Sequence, residues 1–233
     1  MAAKTNLVLV PGLLCTRALW EPQIEALGGI ADITVANHRR HSTMAGIARS
    51  ILEAAPKRFA LAGLSMGGYI AYEIVRQAPA RVTRLALLDT GSRADTPERT
   101  AARRQLIALA ERKGIIAAQR QLMPVLIHKD RLADKPLVST IEQMAVDTGL
   151  AAFKRQQAAI IARPDNRPFL PGIRVPTLVL VGREDALTPV ELAREIADGI
   201  PGARLKIIPD CGHISTLERP AAVNRALRAW LTA

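Results

Sequence analysis

The chain has 233 residues, 49% of them hydrophobic and 3% aromatic, enough for one α/β-type domain with a large core. Its formal charge of +11 comes mainly from arginines scattered along the sequence. With neither a Lys/Arg block nor interleaved aromatics, this argues against a nucleic-acid groove and leaves a solvated basic surface or attraction of an acidic substrate.

Residues 6–10 are predicted as the first strand, running straight into Pro11-Gly12-Leu13-Leu14-Cys15. That apolar run is too short for a signal-peptide core or a membrane span, and a cytoplasmic protein with no membrane association is the expectation. Trp20, Ile24 and Leu27 follow at helical spacing before Gly28-Gly29. A second strand at 33–36 leads into the polar loop Asn37-His38-Arg39-Arg40-His41, and a helix after Ser42 carries Ile47, Ile51 and Leu52 on one face. His38 and His41 have no carboxylates or cysteines at ligand spacing, so both are expected on a surface loop.

Next comes a short apolar strand, 59–62, that stops at Gly63-Leu64-Ser65-Met66-Gly67-Gly68, and then a helical pattern beginning at Tyr69. A strand that becomes a helix within about three residues puts the apex side chain in a strained, exposed position. Gly63 and Gly67 remove the Cβ atoms that would collide where the chain folds back. A fourth apolar strand, 82–88, ends at Asp89.

From 92 to 171 the strand rhythm stops, and the sequence reads as helices with breaks at Gly114, Pro124, Pro136 and Gly149, its basic residues outnumbering its acids. Strands resume at 177–181 and 204–208, alternating with helices at 190–200 and 221–231. The prediction is a single domain over 1–233: a mostly parallel sheet of about six strands with helices on both faces, its core at 1–91 and 172–233 and a helical cap inserted at 92–171.

In such sheets the site lies at the C-terminal edge of the strands, and three loops at that edge supply a serine, an acid and a histidine in that order. A serine hydroxyl needs a base within hydrogen-bond reach, and the base needs a carboxylate to hold its tautomer. Ser65, His213 and Asp185 meet that need. Asp89 is an alternative acid from the neighbouring strand, whereas Asp210 is expected to point away and His128 to be structural. A developing oxyanion needs preorganised backbone donors; Met66 offers one from a helix N-terminus, and Leu13 is preferred to Leu14 for the other. Cys15 and Cys211 are expected to be unpaired, small buried hydrophobes.

The elbow Gly63-Leu64-Ser65-Met66-Gly67-Gly68, the segment Gly182-Arg183-Glu184-Asp185 with Pro189, and Cys211-Gly212-His213 followed by Glu218-Arg219-Pro220 resemble the α/β-hydrolase superfamily over nearly the whole chain. The small bacterial esterase, enol-lactonase and haloperoxidase-like branch is the most similar. That resemblance implies the triad roles given above, main-chain oxyanion donors at Leu13 and Met66, a helical cap and no cofactor or metal. A serine at the elbow implies acyl transfer to water from a small-molecule ester, lactone or thioester. Cofactor-free C–C hydrolysis, a lyase reaction, perhydrolysis on the same fold, and a non-catalytic ligand receptor are the rival readings. Leu122, Met123, Leu126, Met144 and Phe153 are the apolar candidates for lining the cap side of the site.

Overall fold

The computed structural model describes residues 4–233. Its elements run β1 (Thr5–Val10), α1 (Glu21–Leu27), β2 (Ala31–Val35), α2 (Met44–Ala54), β3 (Phe59–Leu64), α3 (Met66–Gln77) and β4 (Val82–Leu88). Three helices follow: α4 (Pro97–Lys113), α5 (Ile115–Leu126) and α6 (Lys135–Ile161). The chain closes with β5 (Thr177–Gly182), α7 (Val190–Gly199), β6 (Arg204–Ile208), α8 (Ser215–Glu218) and α9 (Pro220–Thr232).

All six strands pair in parallel, in the order β2-β1-β3-β4-β5-β6. A parallel sheet needs both faces covered, so its central strands are apolar at every position rather than at every second one. β3 illustrates this. Its residues are all buried, with Phe59 and Leu61 packed into the cluster under α2, α3 and α7, and Ala60, Ala62 and Leu64 into the cluster under α1 and α9. Each large side chain so buried contributes about 1.5–3 kcal/mol. The winding reverses at β1, which has β2 on one side and β3 on the other. The loops after β1 and β3 therefore diverge and leave a crevice at the C-terminal ends of the strands.

Side-chain caps set the helix starts. Thr43 Oγ1 accepts from the Gly46 N–H at 3.1 Å, Thr96 Oγ1 from Arg99 at 3.3 Å and an Asp134 carboxylate oxygen from Leu137 at 3.2 Å. Gly114, at φ 86°, separates α4 from α5, and Gly149, at φ 74°, breaks the run of α6. Pro124 does not end its helix as expected: it sits inside α5, which continues two residues to Leu126. No helix among the described residues is long and apolar enough to cross a membrane.

Candidate active site

Ser65 sits between the last residue of β3 and the first of α3, at φ 56° and ψ −116°. A non-glycine residue at positive φ is costly by about 1–3 kcal/mol and persists only where its surroundings fix it. Here they do. The Ser65 N–H donates to the Leu88 carbonyl at 2.9 Å, and the Ser65 carbonyl accepts from Gly68 N–H at 2.9 Å and from the Thr90 hydroxyl at 2.8 Å. The glycines are dictated by close approach, since a Cβ on Gly63 would fall on the Gly67 carbonyl and one on Gly67 on the Val10 carbonyl.

The second half of the site comes from the loops after β5 and β6, which cross so closely that a Cβ on Gly182 would strike the carbonyls of Cys211 and Gly212. That crossing brings Asp185 and His213 together. His213 Nε2 lies 2.8 Å from Ser65 Oγ, and His213 Nδ1 lies 2.8 Å from Asp185 Oδ2. Asp185 is further held by the N–H groups of Leu187 (2.9 Å) and Thr188 (2.8 Å) and by the Thr188 hydroxyl (2.6 Å). Asp185 and His213 are both buried, whereas Ser65 is partly exposed.

The electrostatics follow from these contacts. Burial pushes the Asp185 carboxyl up, but the charge of His213 and the hydrogen bonds from His213 and Thr188 outweigh it and hold Asp185 below the usual range. Burial lowers His213, and the charge of the neighbouring Asp185, with the hydrogen bond to it, raises it above an ordinary histidine. Asp89, the alternative acid, does not meet the histidine. Its Oδ1 accepts from the Gly182 N–H at 2.9 Å, and its Oδ2 pairs with the Ser215 hydroxyl. Burial and the charge of Asp185 push Asp89 up to about 8, against His213, Ser215 and Gly182, which lower it.

Two backbone N–H groups beside Ser65, those of Leu13 and Met66, have no acceptor among the described residues. Met66 begins α3, where the helix dipole favours negative charge. Gly12 brings the other loop in: a Cβ there would be 3.4 Å from the Ser65 Cβ. The neighbouring Leu14 N–H is already engaged, donating to Gln156 Oε1 at 3.2 Å.

A cavity of about 370 Å³ opens over Ser65 and His213, bordered by Leu13, Tyr69 and residues of α4, α5 and α6. Of the apolar candidates, Leu122 and Leu126 line it; Met123 and Met144 pack into the main core, and Phe153 into the cluster between α4, α5 and α6. A larger groove of about 1010 Å³ lies away from the serine, between β6 and α9. Both cysteines are unpaired and buried, with Cys15 at the cavity wall and its thiol pushed up to about 12 by burial. His128 is buried, its N–H donating to Glu218 at 2.7 Å. His41 is exposed, but His38 is a correction: it is buried against Gly12 and Gln156 because the loop after β2 folds inward over the loop after β1.

From the sequence no role was assigned to Thr188 or Glu218, and the polar side chains of the inserted helices that face the cavity, Arg99, Arg103, Gln119 and Gln157, were not placed there. A Gln156-Gln157 pair directly before the apolar run Ala158-Ala159-Ile160-Ile161 was the available signal.

The sequence profile described as the Alpha/beta hydrolase family matches residues 7–226. A protein of Mycobacterium tuberculosis provisionally named a non-heme bromoperoxidase is 33% identical over 187 residues, covering 76% of this chain and 68% of its own length. Among solved structures, a thermophilic esterase from Thermogutta terrifontis superposes with a TM-score of 0.89 at 29% identity, covering 100% of this chain and 91% of its own. The enol-lactonase from Burkholderia xenovorans LB400 does so with a TM-score of 0.90 at 28% identity, covering 100% and 93%.

Proposed function

Because the chain belongs to the α/β-hydrolase family and is an enzyme of that class, we propose that it is a serine hydrolase cleaving a carboxylic ester, lactone or thioester of a small molecule through an acyl-enzyme. One observation carries this reading: the unbroken hydrogen-bonded line from Ser65 Oγ through His213 to Asp185, at 2.8 Å and 2.8 Å. The similar esterase and enol-lactonase are named for the same kind of acyl transfer.

With the proton on Nδ1 and directed at Asp185, His213 Nε2 is free to take the Ser65 proton as Oγ attacks the carbonyl carbon. The carbonyl oxygen gains the negative charge and is met by the N–H groups of Leu13 and Met66, each worth about 100- to 1000-fold in rate. His213, now charged and stabilised by Asp185, returns its proton to the leaving group. Water then takes the leaving group's place, is deprotonated by His213, and releases the acid and Ser65. The helices α4 to α6 act as a cap that selects the acyl group. Its cavity lining includes Arg99 and Arg103 and no Asp or Glu, which favours an ester carrying an acidic or strongly polar group.

Hydrolysis of p-nitrophenyl acetate and butyrate by wild type and Ser65→Ala, side by side, tests the assignment. Wild-type turnover that vanishes in the variant is the expected result. A variant as active as wild type would falsify Ser65 as nucleophile.

A further inference from the structure

The loop that carries Leu13 is held from behind by two buried side chains with no part in the steps above. His38, in the loop after β2, sets Nε2 2.8 Å from the Gly12 carbonyl oxygen. Gln156, on α6, sets Oε1 3.2 Å from the Leu14 N–H and Nε2 3.0 Å from the same His38 nitrogen. Both are buried. The Leu14 N–H can only donate, which fixes the amide atom facing it as oxygen and turns the NH2 toward His38. The Gly12 carbonyl can only accept. One imidazole nitrogen therefore stands between a donor and an acceptor, and serves one of them at a time. Protonated on Nε2, His38 holds the loop; protonated on Nδ1, it holds Gln156 and α6. The ring itself stays neutral: burial, with the charge of Arg39 adding, pushes its pKa down to about 4 against the opposing bond to Gly12.

Leu14 stands at φ 58°, a costly backbone conformation, inside a turn that the Cys15 N–H closes on the Gly12 carbonyl at 3.2 Å. Gln156 supplies the restraint on its N–H, and His38 restrains the carbonyl two residues earlier. The Leu13 N–H between them is left without an acceptor among the described residues. We propose that His38 and Gln156 are positioning residues that clamp Gly12 and Leu14 so that the Leu13 N–H is presented to the oxyanion, and that the shared His38 nitrogen ties this loop to α6. This rests on the acyl-transfer reading above and deepens it. It also links the oxyanion loop to a helix that contributes Gln157 and Ile160 to the cavity wall, so that displacement of α6 is felt at the reacting carbonyl.

The test measures kcat and KM for p-nitrophenyl butyrate in wild type, His38→Leu, His38→Gln and Gln156→Leu, each with its melting temperature, and records the 15N resonances of the His38 ring. His38→Leu and Gln156→Leu are expected to lower kcat about tenfold or more with KM little changed, because a misplaced donor forfeits part of its roughly 100-fold effect. His38→Gln, whose amide can still donate to the Gly12 carbonyl, should recover most of the loss. In wild type the shorter contact is to Gly12, so Nε2 should carry the proton in the majority tautomer, and Gln156→Leu should increase that majority. Leucine variants whose kcat is unchanged, a rise in KM alone, or a His38→Gln variant as impaired as His38→Leu would overturn the proposal. If a leucine variant does not fold, the wild-type ring decides: an unprotonated Nε2 means that His38 does not hold the loop. A wild type that hydrolyses no ester overturns the reading beneath; an active enzyme indifferent to His38→Leu overturns this inference alone.

Discussion

The Thr188 hydroxyl donates to Asp185 Oδ2 at 2.6 Å, the same oxygen that faces His213 Nδ1 at 2.8 Å. Thr188 Oγ1 also lies 3.2 Å from that ring nitrogen, so the threonine braces the carboxylate and the imidazole against each other. Two backbone N–H groups occupy the other oxygen of Asp185. The carboxylate is therefore oriented by three donors before the histidine adds its own, and the hydroxyl is the one that a side-chain substitution can remove. Thr188→Val, nearly isosteric, should lower kcat about tenfold or somewhat more, the equivalent of about 1.5 kcal/mol for a hydrogen bond to a charged group. Thr188→Ser should behave as wild type. A valine variant with unchanged kcat would mean that the backbone donors alone fix the acid.

Asp89 and Asp185 lie in the loops after adjacent strands, β4 and β5, yet their burial has opposite consequences for pH. Asp185 is held ionised by His213 and Thr188, whereas Asp89 is pushed from the ordinary 3.8 to about 8 by burial and by the charge of Asp185. Between those two values the folded chain keeps the Asp89 proton and the unfolded chain does not. Stability from this group is thus fully present below about 4 and is lost as pH rises toward and through about 8. Asp89→Asn removes the titration while keeping an acceptor for the Gly182 N–H, and its amide group can pair with the Ser215 hydroxyl, which then acts as acceptor. Its melting temperature relative to wild type should climb between pH 5 and pH 9, with kcat largely retained. Asp185→Asn should instead cost activity on the order of 10⁴-fold, the loss seen when a triad carboxylate becomes an amide. If the two variants exchanged these phenotypes, Asp89 would be the acid that serves His213.

What could be read from the residues divides along a physical line. Strands β3, β4 and β5 were legible because a sheet covered on both faces demands continuous apolar runs, and Ser65 was legible because only glycine fits where Gly63 and Gly67 lie against neighbouring carbonyls. Asp185 and His213 followed from their places after β5 and β6. His38 was misread because its burial depends on the loop after β2 folding over the loop after β1, a contact between segments 26 residues apart that no local pattern records. Pro124 was misread because a proline costs a helix one hydrogen bond, and α5 tolerates that near its last turn, where few bonds remain to lose. The polar lining of the cavity depends on how α4, α5 and α6 rotate against one another, and periodicity within one helix carries no information on that.

Gly67 is the residue on which the elbow geometry depends most narrowly. A methyl group there would land on the Val10 carbonyl, backbone against backbone, with no flexible side chain able to yield. Relief requires α3 to move away from β1, which would also carry the Met66 N–H away from Leu13. Gly67→Ala should therefore destabilise the fold by roughly 2–4 kcal/mol, in the range of core overpacking or more. Any folded fraction should show a loss of kcat larger than its loss of stability accounts for. Gly29→Ala is the control, since a Cβ there meets nothing within 4 Å. Equal behaviour of the two variants would mean that the elbow has room to relax.

The charge at the cavity makes a separate prediction about substrate. Asp95 is shared by Arg103 at 3.0 Å and Arg163 at 2.7 Å, so two guanidinium groups face one carboxylate. Arg103 also donates to Gln157 Oε1 at 3.1 Å, and the exposed Arg99 reaches only the Leu187 carbonyl, at 3.3 Å. Of the two arginines that line the cavity Arg103 is thus paired, and Arg99 leaves the wall net positive, so a substrate carrying a negative charge is drawn in by a field that salt screens over about 10 Å at 0.1 M. The comparison is between the p-nitrophenyl half-ester of a dicarboxylic acid and the neutral ester of equal length. For the half-ester, kcat/KM should fall severalfold as sodium chloride is raised from about 0.02 to 0.5 M, while the neutral ester stays flat. Arg99→Gln should lower the half-ester rate at low salt and flatten its dependence, without touching the neutral ester. A half-ester whose kcat/KM ignores salt in wild type would show that these arginines serve the packing of α4 against α6 and leave the choice of acyl group to the shape of the cavity.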